Sequence, residues 1–154
     1  MQGAKTLVAQ HGLQRANMVD IADTSEVSRA TLYNHFRDKS SVMRALLESE
    51  VERLLHIADD ELSTEAVLTL ISVEISRDAA LATLRSTDPG VVTTLLSSVD
   101  DPLWLEIRAV LQHLVESPVL AELIQGWLLA QVTQPLITSQ SQDQARILLS
   151  FDQG

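Results

Sequence analysis

Val27-Ser28-Arg29-Ala30-Thr31-Leu32-Tyr33-Asn34-His35-Phe36 is the stretch whose reading decides the fold. Ser28 opens a helix, because a serine hydroxyl satisfies backbone N–H groups that a first turn leaves free. That helix runs to about His35. Upstream, Ser25-Glu26-Val27 reads as a turn, and before it a helix through Thr24 starts at Asn17, an N-cap with Asp20 three residues on in a capping-box-like arrangement. A further short helix covers Ala4 to Gln10, with Gly12 as its stop. Leu7, Val8, Leu13, Ile21, Ala22, Val27, Leu32 and Phe36 supply the small apolar core that three helices need. The N-terminal segment therefore reads as a helix-turn-helix.

The rest of the chain is helical in pattern, with no internal repeat. Asp38 caps a longer fourth helix whose Leu47, Val51, Leu54, Leu55 and Ala58 fall on one face. Asp59-Asp60-Glu61 marks a break, and one helix is expected from about Ser63 to Arg85. Ser86-Thr87-Asp88-Pro89-Gly90 reads as a loop. Shorter helices are expected over 91–98 and 102–116, the latter with Pro102 at its first position. Pro118 opens another, through about Gln134, and a last one covers Gln142 to Phe151. Val119 to Val132 is apolar around so much of its circumference that burial on two sides is expected, one of them against a second subunit.

Composition agrees with this. The 154 residues are 45% apolar and only 3% aromatic. Such a core, rich in Leu, Val, Ile and Ala, suits packed helices better than a strand-rich sandwich. No run is long enough to span a membrane, the start lacks a signal peptide's apolar stretch, and cysteine is absent. A cytoplasmic protein without disulfides or thiolate metal sites is the expectation. The net charge of −10 opposes nucleic-acid binding at first sight. Its distribution reverses that. Residues 1–56 carry seven basic and seven acidic side chains, whereas 57–154 carry four and fourteen. Within 27–44, Arg29, Arg37, Lys39 and Arg44 face Asp38 alone.

Ile21-Ala22-x4-Val27-Ser28-Arg29-Ala30-Thr31-Leu32-Tyr33-Asn34-His35-Phe36-x2-Lys39 closely resembles the DNA-binding region of the TetR (tetracycline-repressor) family of bacterial transcriptional regulators. The resemblance covers roughly residues 4–50. It implies an all-α protein: a three-helix DNA-binding head (1–44), joined through a long fourth helix to a helical effector and dimerisation domain (45–154). It departs from the family at the turn, where Ser25-Glu26 replaces the usual Ala-Gly. Glycine suits a left-handed residue there, and glutamate costs of order 1 kcal/mol. The first helix is also short for the family, with almost nothing before Ala4.

The residues expected at DNA are Asn17, Ser28, Arg29, Ala30, Thr31, Tyr33, His35 and Lys39. Arg29, Ala30 and Thr31 occupy the first turn of the recognition helix, the part that reaches base edges. Arginine pairs with guanine O6 and N7, and Ala30 or the Thr31 methyl can meet a thymine methyl. Tyr33 and His35 suit phosphate oxygens, and Lys39 adds charge at the start of the fourth helix.

What the resemblance implies for the remainder is a homodimer whose effector pocket is lined between 57 and 134. Leu70, Ile71, Glu74, Trp104, Leu111 and His113, with Leu105 and Leu114 beside them, combine apolar surface with a few polar handles. Leu120, Leu123, Ile124, Trp127 and Leu128 are expected at the dimer interface. Double-stranded operator DNA and a small-molecule effector are the expected partners, released from one another by a population shift. No cofactor is expected. The four histidines lack metal-ligand spacing, and no phosphate loop or nucleophile elbow is present, so neither a metal site nor an enzyme is expected. An alternative is a TetR-like dimer that has lost operator binding and acts through ligand or protein binding alone.

Overall fold

The computed structural model describes residues 2–56, 62–97 and 101–151. Ala58, Asp59-Asp60-Glu61 and Asp100 lie outside them. Ten helices and no strand occur among the described residues: α1 (Gln2–His11), α2 (Met18–Thr24), α3 (Arg29–His35), α4 (Lys39–His56), α5 (Thr64–Arg77), α6 (Ala79–Thr87), α7 (Pro89–Ser97), α8 (Pro102–Val115), α9 (Pro118–Thr133) and α10 (Thr138–Ser150). The all-α expectation is met.

Two compact units share these helices. Residues 1–51 and 79–93 make the first, and 52–78 with 94–154 make the second. In the first, α1 packs on α2 and on α6, and α2 packs on α3. Its core is Ala4, Leu7, Ala16, Met18, Ile21, Ala22, Leu32 and Val42, with Phe36 half-buried against it. Val27, expected there, is 37% exposed. In the second unit, α9 packs on α5, α8 and α10, and α5 packs on α10. Val67, Leu68, Ile71, Leu111, Val115, Leu120, Ala121, Ile124, Leu128 and Ala145 form its core.

Three helix boundaries correct the sequence reading. The single helix expected from Ser63 to Arg85 is two, α5 and α6, parted at Asp78, whose backbone is extended. Apolar residues continue on both sides of that aspartate, so periodicity gave no sign of the break. The expected loop at 86–90 is a junction of one residue: α6 runs through Thr87, Asp88 follows, and Pro89 starts α7. Proline is at home in a first helical turn, so Pro-Gly here begins an element instead of interrupting one. The last helix starts at Thr138, four residues before its expected start, once Pro135 has ended α9.

Two polar side chains on α9 turn inward. Gln125 and Gln131 are buried, where the apolar pattern alone would put them outside. Each is satisfied. Gln125 accepts from Arg108 Nε (2.8 Å) and donates to the Trp104 carbonyl (2.9 Å). The Ser72 hydroxyl faces two acceptors, Gln131 Oε1 at 2.6 Å and Ser141 Oγ at 2.7 Å, and shares its one proton between them. Ser76 also donates to Gln131 Oε1 (3.0 Å) and accepts from the Leu136 N–H (3.1 Å). That network ties the turn between α9 and α10 to α5.

Candidate nucleic-acid interface

The interface is assembled by caps and one unusual backbone torsion. Asn17 Oδ1 accepts from the N–H groups of Val19 (2.9 Å) and Asp20 (3.0 Å), which opens α2 as expected. At its other end Glu26 is left-handed, with φ of 56°. The Val27 N–H then reaches back to the Ala22 carbonyl at 3.0 Å and closes the turn. The torsion is the one a glycine would adopt most cheaply, so the glutamate's cost is realised in the backbone. Ser28 Oγ accepts from the Thr31 N–H at 3.0 Å and lies 2.8 Å from Thr31 Oγ1. Both oxygens are thereby engaged in the cap.

α3 has seven residues and buries one of them, Leu32. Arg29, Ala30, Thr31, Tyr33, Asn34 and His35 are all exposed, Tyr33 by 53%. Arg29 and Tyr33 have no hydrogen-bond or ion-pair partner among the described residues. Long polar side chains on a helix held by a single apolar anchor are what base and phosphate contacts require. Asn34 belongs on the same surface, one turn after Ala30. The sequence reading omitted it, although its position beside Tyr33 was signal enough. An apolar cleft of about 130 Å³ adjoins this helix, lined in part by Val27, Thr31, Leu32, His35 and Phe36. It is well short of a typical small-molecule site.

Two charged residues behave differently from their neighbours. Asp38 begins α4 by accepting from the Ser41 N–H at 2.8 Å. Hydrogen bonds from the Ser41 backbone and hydroxyl hold its carboxyl below the usual carboxylate range, with Arg37 nearby adding to the effect. Lys39, expected among the DNA-facing residues, is half-buried and donates to the Leu13 carbonyl at 2.8 Å. Its ammonium braces the turn after α1.

The remaining expected residues are spread over several surfaces. Ile71 and Leu111 pack within the second unit's core, and Trp104 is buried. Leu70 is 43% exposed, and Glu74 is exposed and paired with Arg53 at 2.9 Å. His113 is exposed, with Nδ1 2.9 Å from the Ala109 carbonyl oxygen. Leu105 is exposed and Leu114 half-buried. On α9, Leu120, Ile124 and Leu128 face the chain's own core. Trp127 is half-buried and donates to Gln144 at 2.7 Å, whereas Leu123 is 52% exposed. Among the described residues no group of three His, Cys, Asp or Glu could hold a metal ion, and no helix is long and apolar enough to cross a membrane.

Comparison with known proteins bears on the same segment. Residues 1–46 match the model of the bacterial regulatory proteins, tetR family. A Mycobacterium tuberculosis protein named HTH-type transcriptional repressor Rv1474c is 30% identical over 61 residues, 40% of this chain and 33% of its own length. A Pseudomonas putida protein named probable HTH-type transcriptional regulator ArpR is 27% identical over 86 residues, 53% of this chain and 41% of its own. The matches thus span between a third and two fifths of those relatives. Two solved structures share the fold at low identity. The fatty acid degradation regulator FadR from Bacillus halodurans has a TM-score of 0.64 at 18% identity, over 96% of this chain and 91% of that one. RolR, solved without ligand, has 0.61 at 19%, over 97% and 86%. These names are those of regulators, not of enzymes. The serine-capped helix α3, after a left-handed turn residue, lies within residues 1–46, the stretch that is similar to the bacterial regulatory proteins, tetR family.

Proposed function

We propose that the chain is a DNA-binding transcriptional regulator that acts as a homodimer, occupying a near-palindromic operator as a repressor and leaving it when a small effector binds. The exposed polar face of α3 carries this reading: Arg29, Thr31 and Tyr33 are presented by a helix whose first turn is capped by Ser28 at the Thr31 N–H. A regulator's name on two relatives, one of them a repressor, supports it. The dimer would use the outward side of α9, where Val119 and Leu123 are 70% and 52% exposed at i and i+4, with Trp127 at its edge. The effector would act in the helical region after residue 56, around Trp104, Ile71 and Leu111. A cytoplasmic location follows from the proposed partner.

Titration of a fluorescent duplex from the promoter flanking its own gene, at stated salt, tests the proposal. Tight, salt-sensitive binding that is lost in Arg29→Ala and Tyr33→Ala is the expected result. No binding even at low salt removes it. Glu26 favours the second reading, a dimer that no longer binds an operator, because its carboxylate is exposed on the turn that precedes the recognition helix.

A further inference from the structure

Asp88 is 1% exposed and stands alone between α6 and α7, within the first unit. Its carboxylate is fully employed. Oδ2 accepts from the Leu13 N–H at 2.9 Å and from the Thr87 hydroxyl at 2.6 Å, and Oδ1 accepts from the Gln14 N–H at 3.1 Å. Leu13 and Gln14 belong to the turn between α1 and α2. Gly12 precedes them with φ of +76°, and a Cβ there would lie 2.7 Å from Asp88 Oδ2 and closer still to the Thr87 hydroxyl. Glycine is thus required at position 12 by both torsion and space.

The same turn is held from a second side. Lys39 Nζ donates to the Leu13 carbonyl, so the two polar groups of one residue are taken by an aspartate 75 positions later and a lysine 26 positions later. Burial by itself would push the Asp88 carboxyl up. The Thr87 hydroxyl, the two amides and the Lys39 charge outweigh it and hold the group below the ordinary carboxylate value. A further tie, from the Thr83 hydroxyl to the Ala9 carbonyl at 2.6 Å, fixes α6 along the end of α1. A buried ion bound to two amides permits one register only. Sliding α1 along α6 would strand it without donors. Three residues beyond Gln14 comes Asn17, the cap that starts α2, and α2 leads through the Glu26 turn into α3.

We infer that Asp88 is a positioning residue for DNA recognition: from the α6–α7 junction it holds the Gly12–Gln14 turn, and so sets where α2 and the recognition helix stand. The inference rests on the regulator reading above. Asp88 touches no DNA. It acts through the turn, and Lys39 acts with it by holding the Leu13 carbonyl.

The experiment uses the full chain, wild type and Asp88→Asn, with two duplexes of equal length: the promoter fragment flanking its own gene and a scrambled sequence. An asparagine turns one acceptor into a donor facing the Leu13 or Gln14 N–H. The Asn variant is expected to lose at least tenfold in affinity for the promoter fragment while its affinity for the scrambled duplex changes less than twofold. Faster hydrogen exchange at the Leu13 and Gln14 amides should accompany the loss. A chain that was merely destabilised would lose both affinities together, so the ratio of the two is the readout. Thr87→Val, which removes one neutral donor from the carboxylate, is expected to lower the ratio by a smaller factor, and it carries the test if the Asn variant does not fold. A wild-type chain that prefers neither duplex ends the regulator reading and this inference with it. A wild-type preference that Asp88→Asn, or Thr87→Val in its place, leaves intact overturns the inference alone.

Discussion

The two units solve the same problem, a buried polar group, with opposite chemistry. The first buries an ion, Asp88, and binds it to backbone amides of a turn, with the Lys39 charge nearby. The second buries neutral amides and hydroxyls, Gln131 with Ser72, Ser76 and Ser141, which satisfy one another across three helices. An ion with two backbone partners fixes one turn in one register. A neutral network spreads its bonds over α5, α9 and the start of α10, and each member is cheaper to bury. The contrast follows the work proposed for each region: a surface that must be aimed at a groove, and a helical body that must hold together.

Core truncations give the largest effects and should make the units differ most sharply. Leu32→Ala removes the single buried side chain of α3 and is expected to cost about 2–5 kcal/mol. Urea unfolding followed by hydrogen exchange should show the loss concentrated in residues 1–51. An equal loss of protection over 102–150 would show that the contrast is not one of independent units. Gln131→Ala removes the acceptor that Ser72 and Ser76 share and is expected to cost about 1–3 kcal/mol in the same assay, with DNA affinity unchanged. A change in DNA affinity would mean that the neutral network also aims the head.

Binding comes next. Arg29→Ala is expected to reduce promoter affinity by about 1–3 kcal/mol, or roughly 5- to 150-fold, with no change in melting temperature, since Arg29 is exposed. Glu26→Gly should stabilise the chain by about 1 kcal/mol in thermal melts, because glycine adopts the left-handed torsion without a Cβ penalty. It should also raise DNA affinity by removing a carboxylate from the exposed turn. A destabilised Gly variant would show that Glu26 makes a compensating contact.

The smallest effect is one of pH. A depressed carboxylate contributes stability that is present above its unfolded value of 3.8 and is lost as pH falls through the lower folded value. Wild-type melting temperature should therefore drop below about pH 3.8 more steeply than that of Asp88→Asn. Parallel curves would assign the drop to Asp38 and other carboxylates.

What was legible in the sequence was local. Asn17 and Ser28 cap within three residues, and the Glu26 turn has a torsion that the substitution of glycine by glutamate made conspicuous. Leu32 and Ile21 lie in the core where apolar spacing put them. The 79–93 excursion was not legible, because Ala79, Ala80 and Leu84 continue the apolar rhythm of α5 past Asp78 and leave no breaker to see. Asp88 beside Pro-Gly carries the composition of a loop, and nothing within ten residues of it announces Leu13 and Gln14 as its partners. Gln125 and Gln131 were hidden for a related reason: a polar residue on an apolar helix reads as outward until its donors and acceptors on other helices are known.

The route of the chain through the first unit has a consequence for how the protein is made. Residues 1–51 emerge from the ribosome before 79–93, yet α1 packs against α6, and the turn after α1 is held by Asp88. The head cannot close its last contacts until residue 93 has been synthesised, and the long sequence separation makes that closure a late, slow step. In the interval α1 carries an apolar flank without its partner, open to chaperones and proteases. A fragment ended at residue 44 lacks α6 and Asp88, and a graft of residues 1–51 onto another body would need the 79–93 segment carried with it.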